Sequence, residues 1–155
     1  MNYEELLIEA DNNNLITKEK PLLANAGRIK GNRIAIKKDL PTQKEKACVL
    51  AEELGHFYTS TGNILDMSDT ANRKQEYHAR FWAYNRLVGL QGIIACYKAN
   101  CLVINEMAEY LDVTEEFLKE ALECYRSKYG TAKQIDNYII GFEPNLYVIE
   151  LFASQ

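Results

Sequence analysis

The segment from Thr42 to Tyr58 constrains this chain most, because it has the pattern of a helix with two chemically different faces. Thr42 and Glu45 have the spacing of a capping box, so a helix is predicted to begin there. Apolar residues then recur at helical spacing. They are Ala47, Leu50, Ala51, Leu54 and Tyr58. An apolar stripe of this length has to pack against other elements, so the segment is predicted to be a core helix that ends near Tyr58.

The opposite face of this helix carries Glu52, Glu53 and His56. Glu52 and His56 are four residues apart, so their side chains point to the same place and could share one metal ion. Glu53 is displaced by one residue, which is where zinc peptidases place the general base beside the metal. Gly55 has no side chain and would let another backbone approach. The open alternative is an ordinary surface pair of Glu52 and His56 on a solvated helix.

A second long helix is predicted from Ser68 or Asp69 to about Val88, and its Glu76 is the candidate third ligand. Glu76 shares its face at helical spacing with Ala79, Arg80, Ala83 and Leu87, and the two alanines would let this helix pack closely on the first one. A carboxylate on such a face needs a partner, which a metal held by Glu52 and His56 would supply. His78 lies roughly 200° around the helix from Glu76, so it is not predicted to be a ligand. The alternative for Glu76 is an exposed acid that pairs with an arginine of its own helix, Arg73 or Arg80.

The rest of the chain predicts a mixture of strands and helices in one domain over residues 1–155. A short helix is expected at residues 3–10, an extended stretch at 15–23 broken by Pro21, and a hairpin at 27–37 with its turn at Gly31-Asn32. Helical patterns follow at 93–99, 104–111 and 115–128, and the tail from Tyr138 to Phe152 is β-rich. The predicted fold class is α+β, with a short N-terminal sheet or hairpin, the metal-binding helix and a mostly helical C-terminal half.

Composition and charge narrow the classes of function. The chain has 155 residues with 18 Lys and Arg against 22 Asp and Glu, a net charge of -4. That balance argues against broad binding to nucleic acid or to anionic membranes. No apolar run reaches the length of a membrane span, and the N-terminus lacks the pattern of a signal peptide, so the expected location is cytoplasmic. Four separated cysteines without a C-x-x-C pair predict free thiols.

A DNA-binding helix-turn-helix is the weakest of the functional interpretations. Residues 108–117 have the rhythm of that motif. The helix that would enter the groove carries more Glu than Lys and Arg, which opposes contact with phosphates. Its apolar residues have the spacing of an ordinary core stripe. They are Phe117, Leu118, Ala121, Leu122 and Tyr125.

The stretch Leu50-Ala51-Glu52-Glu53-Leu54-Gly55-His56-Phe57-Tyr58 resembles the active-site helix of the ImmA/IrrE family of metallopeptidases, a zincin-like fold. That family usually has H-E-L-G-H where this chain has E-E-L-G-H. The hairpin with Ile34 and Ile36 is similar to the strands that precede the family's helix. Glu76, followed by Ala79 and Ala83, resembles the family's third-ligand helix. The similarity is strongest from Gly27 to Val88.

The resemblance implies that His56 and Glu76 are metal ligands and that Glu53 is the general base of a zinc-dependent endopeptidase. Family members characterised as proteases cut helix-turn-helix repressors of mobile elements or stress genes, so the implied partner is a repressor. Glu52 stands where the family has its first histidine. Two interpretations stay open: Glu52 ligates zinc, manganese or another divalent ion in a working site, or the chain has lost the metal and only binds the repressor.

Overall fold

The computed structural model describes residues 1–60 and 69–152, and the chain divides into two compact units, Met1–Arg86 and Leu87–Gln155. Helices and strands in both units confirm the α+β class. The elements of the first unit are α1 (Tyr3–Asn12), β1 (Ile16–Lys20), β2 (Gly27–Lys30), β3 (Arg33–Lys37), α2 (Gln43–Thr59) and α3 (Asp69–Leu87). The helix start proposed at Ser68 lies outside the described residues. The prediction of a single domain over residues 1–155 stays a prediction.

A three-stranded sheet opens the first unit, in the order β1-β3-β2. The hairpin of β2 and β3 is antiparallel as predicted, and its turn places Gly31 at a φ of +59°, which glycine adopts without strain. β1 pairs in parallel with β3, an arrangement that the sequence pattern did not predict. Alternation along β3 turns Ile34 and Ile36 toward the helices, where both are buried.

The helix α2 forms where the sequence predicts it. The hydroxyl of Thr42 accepts a hydrogen bond from the backbone N–H of Glu45 at 3.1 Å, which satisfies one free donor of the first turn. Four members of the apolar stripe are fully buried: Ala47, Leu50, Ala51 and Leu54. Tyr58 was wrongly assigned to that stripe. It is exposed at the end of the helix, where its hydroxyl donates a hydrogen bond to Glu9 and its ring stacks on Trp82.

The second unit contains three helices and a second antiparallel sheet. Its elements are α4 (Gly89–Lys98), α5 (Ile104–Leu111), α6 (Glu115–Tyr129), β4 (Ala132–Ile135), β5 (Tyr138–Gly141) and β6 (Tyr147–Glu150). The prediction that α4 starts at Ile93 was wrong, because Gly89, at a φ of +67°, lets the chain turn directly into the helix. Strand β4 was not predicted. Its four residues alternate too briefly to give a clear signal.

The apolar stripe of α6 belongs to the core of the second unit. Phe117, Leu118, Ala121 and Tyr125 are buried, which confirms the core interpretation of this stripe. The four cysteines are free thiols, as predicted. Among the helices that the structure describes, none has both the length and the apolarity that a bilayer crossing requires.

Candidate active site

The charged face of α2 borders a cavity of about 440 Å³ in the first unit. Glu52, Glu53 and His56 reach it from α2, and Glu76 and Arg80 reach it from α3. The rest of its wall comes from Val49 of α2 and from residues 25–29, at the start of β2 and just before it. The structure therefore brings together all four residues that the sequence proposed for a site, and the roles assigned to them stay predictions.

Glu53 is the one buried charged or polar residue among those that the structure describes, with 8% of its surface exposed. Gly27 of β2 packs against it so closely that a Cβ atom there would lie 2.9 Å from the Glu53 carboxylate. Burial raises the pKa of Glu53 to about 7, and the negative charges of Glu52 and Glu76 add to that rise. A carboxylate with a pKa near neutrality can both accept and release a proton, as a general base must.

His56 and Glu76 meet across the cavity. The imidazole Nε2 of His56 lies 3.3 Å from Oε1 of Glu76. The other carboxylate oxygen of Glu76 lies 4.0 Å from Nε of Arg80, one turn further along α3. Glu76 thus lies beside His56 of α2, as the metal-site interpretation requires, and also near Arg80, the partner named in the surface alternative.

A close approach of the two helix backbones makes this meeting possible. A Cβ atom at Gly55 would overlap the backbone carbonyl oxygen of Ala79 and would lie 2.9 Å from its carbonyl carbon. Ala79 and Ala83 are fully buried, as expected for small residues at a tight helix contact. Gly55 and Ala79 therefore set the distance between α2 and α3, and with it the distance between His56 and Glu76.

His78 lies elsewhere, as its position on the helix predicted. It is exposed and borders a different cavity together with Phe81 and Trp82.

Two arginines, Arg28 and Arg80, were not assigned to the site from the sequence, although both border the cavity that contains Glu53 and His56. Helical spacing did place Arg80 on the face of Glu76, one turn further along α3. Arg28 could not be placed from spacing, because only the pairing of the hairpin brings β2 beside α2.

The donor atoms of the cavity suit a divalent cation in their chemistry. Three carboxylates and one imidazole face the same space, and burial, together with the charges of Glu52 and Glu76, raises the pKa of Glu53. Two ligands at about 2.0–2.1 Å from a tetrahedral ion are themselves about 3.3–3.4 Å apart. The separation of 3.3 Å between His56 and Glu76 matches that geometry.

The third proposed ligand, Glu52, is not arranged with His56 and Glu76 in the same way. Among the side chains that the structure describes, no three His, Cys, Asp or Glu residues converge closely enough to hold one ion. Glu52 borders the cavity without completing such a group with His56 and Glu76. The separation of His56 and Glu76 suits two ligands of one ion, and the roles of His56, Glu76 and Glu52 as metal ligands stay predictions.

Comparison with models of known protein families shows to which family the chain belongs. Residues 10–123 match the model of the Peptidase_M78 family, described as the IrrE N-terminal-like domain. The chain belongs to this family. The match covers the end of α1, all elements from β1 to α5, the first part of α6 and the whole of the candidate site. Searches of curated proteins and of solved structures found no significant match.

Membership of the IrrE N-terminal-like family confirms the resemblance found in the sequence, and it identifies the chain as metallopeptidase-like. The family is generally metal-dependent. The residues proposed as metal ligands lie on α2 and α3, inside the matched region.

Replacing Glu53 by Gln is expected to stabilise the metal-free protein above neutral pH. The folded-state pKa of Glu53, about 7, lies above its ordinary value of 4.5, so the folded state retains the proton and the free energy of unfolding falls as pH rises between these values. For a fully buried carboxylate, the pH-dependent loss in the free energy of unfolding would be about 3 kcal/mol. Solvent screening reduces this loss to about 2 kcal/mol. Denaturant unfolding of both proteins in chelator at about pH 4 and pH 8 measures the effect. A stability difference between them that does not change with pH would contradict the assignment.

Proposed function

We propose that the chain is a metal-dependent endopeptidase that hydrolyses a peptide bond in a helix-turn-helix repressor of a mobile element or stress response. The observation that carries this proposal is the cavity in which His56 and Glu76 lie 3.3 Å apart beside the buried Glu53. Family membership supports the peptidase chemistry. The repressor as partner and the cytoplasmic location come from the resemblance and are part of the proposal.

In this proposal His56 and Glu76, with Glu52, hold a divalent ion, zinc or an oxygen-preferring ion such as manganese. Such an ion, when bound, polarises the scissile carbonyl and makes water more acidic. Glu53 accepts a proton from the attacking water and passes it to the departing amine, and its position on the wall of the cavity keeps its carboxylate within reach of a bound peptide. Arg28 and Arg80 offset part of the negative charge of the carboxylates.

The alternative is a non-catalytic module that binds the repressor and keeps the peptidase fold. Glu52, in the place of the family's first histidine, favours it, as does the lack of a three-ligand group among the described side chains. In that case the cavity would bind the repressor without hydrolysing it.

The separating experiment incubates the metal-loaded chain with helix-turn-helix repressors from the same genome and identifies products by mass spectrometry. We expect one internal cut by the wild type and none by Glu53→Gln, because the variant keeps the proposed ligands and loses the base. Metal content measured on the same samples should be equal. If Glu53→Gln cuts as fast as wild type, Glu53 is not the base, and if the wild type binds the repressor without cutting it, the non-catalytic alternative holds.

A further inference from the structure

The outer face of the sheet β1-β3-β2 carries an unusual concentration of positive charge. Strand alternation and register place eight side chains on this face. Six of them are Lys18, Lys20, Arg28, Lys30, Arg33 and Lys37, and the other two are Ile16 and Ala35. None of the eight is acidic. The acid of these strands, Glu19, lies on the inner face, where it is the acceptor in an ion pair with Lys46 at 2.7 Å.

Within residues 1–60 and 69–152, these six cations have no acidic side chain in ion-pair contact. Five are exposed and Lys37 is half-buried. In the part of the chain that the structure describes, none of them forms an ion pair. The rest of the chain then has twelve Lys and Arg against 22 Asp and Glu, so the basic face stands out against an acidic molecule. A surface of one sign with no internal compensation favours a partner of the opposite sign.

We propose that this basic face binds an acidic, extended polypeptide segment. Three strands span about 10 Å between the outer two, and strands of four or five residues are roughly 15 Å long, which is room for one extended segment. The face encloses a cavity of about 200 Å³, lined by Ile16 and Ala35 as well as by five of the cations. A small apolar floor surrounded by cations fits one aliphatic side chain with acidic neighbours, and a phosphate backbone has no group of that kind.

Charge and exposure make a nucleic-acid duplex and an anionic lipid bilayer less suitable partners for the basic face. A duplex carries one negative charge per about 1.7 Å of its axis, so it extends past a face of this size toward the acidic remainder of the chain. Binding flat on an anionic bilayer uses several exposed apolar side chains, and Ile16 is the one exposed apolar residue among the eight.

The position of Arg28 relates the basic face to the candidate active site. Arg28 borders both the cavity on the basic face and the cavity that contains Glu53 and His56. Residues that flank a peptide bond held beside Glu53 can therefore reach the basic face within a few positions along the chain. That the acidic segment belongs to the cleaved protein rests on the proposed function, whereas the binding itself does not.

Fluorescence anisotropy with a labelled oligoglutamate peptide of about eight residues tests the proposal. The full-length chain is measured in chelator, so that neither metal nor catalysis enters. The test variant is Lys18→Gln/Lys30→Gln/Arg33→Gln, which removes three cations that do not border the active-site cavity. The control variant, Arg73→Gln/Lys74→Gln/Lys119→Gln, removes the same charge from exposed positions on α3 and α6. Circular dichroism checks that both variants fold.

We expect the test variant to bind the oligoglutamate about tenfold more weakly than wild type, and the control variant to bind within about twofold of it. An equal loss in both variants would overturn the proposal, because net charge alone would then explain the binding. A random DNA duplex of about 20 base pairs is measured in the same way. If wild type binds the duplex more tightly than the peptide, and the test variant no longer binds the duplex, the proposal is also overturned. Failure of the chain to cleave a repressor changes neither result.

Discussion

Replacing Gly55 by Ala is expected to destabilise the protein by about 3 kcal/mol, although alanine is the better helix former by about 1 kcal/mol. The added Cβ would overlap the backbone carbonyl oxygen of Ala79, and a backbone atom in a packed helix cannot move aside as a flexible side chain can. The helices α2 and α3 would have to separate. Denaturant unfolding measures the loss of stability, and the separation should also weaken metal binding by His56 and Glu76.

Gly92→Ala is the matched control, because Gly92 is also inside a helix. A Cβ atom there would lie 3.2 Å from a terminal methyl of Leu111, which can shift. The free energy of unfolding should therefore change by less than about 1 kcal/mol. Equal effects of the two substitutions would show that helix contact at Gly55 is looser than the structure indicates.

Replacing Glu52 by His is expected to tighten zinc binding by roughly tenfold or more. A zinc ion held by two histidines and one carboxylate keeps a net charge near +1, whereas Glu52, His56 and Glu76 together would make it formally neutral. A less positive ion lowers the pKa of water less, so wild type should work best on the alkaline side and respond to added manganese. The variant should move the pH optimum down. Competition with a chelator gives the affinity, and a pH–rate profile gives the optimum.

Glu52→Gln serves as the control, because it removes the charge without adding a nitrogen ligand and should bind zinc more weakly than wild type. If Glu52→His binds zinc no better than wild type, Glu52 is not a ligand, and the non-catalytic alternative becomes the better account.

The sequence was sufficient to predict the helix α2 and the direction of its side chains. Helical periodicity is a local property, so the buried stripe and the charged face of α2 could be predicted from spacing alone. The same geometry predicted correctly that Glu76 faces α2 and that His78 does not. Gly55 could also be assigned its role, since a glycine inside an otherwise good helix indicates a close backbone approach.

Contacts between distant parts of the chain could not be predicted in this way. The burial of Glu53 depends on Gly27, which reaches it only because β2 is the edge strand beside α2. The basic face depends on the parallel pairing of β1 with β3, which aligns Lys18 and Lys20 with cations of the other two strands. Net charge, an average over the whole chain, concealed that face entirely. The distance of Glu52 from the other proposed ligands likewise depends on three-dimensional positions and not on spacing.

The central claim is that α2 and α3 hold one divalent ion through His56, and titration of zinc into the chelator-treated chain tests it most directly. The chain has two histidines, so His78→Ala is a matched control for His56→Ala. We expect about one zinc per chain for wild type and for His78→Ala, and loss of that binding in His56→Ala and in Glu76→Gln. Zinc binding that persists unchanged in His56→Ala, or that disappears in His78→Ala, would contradict the account.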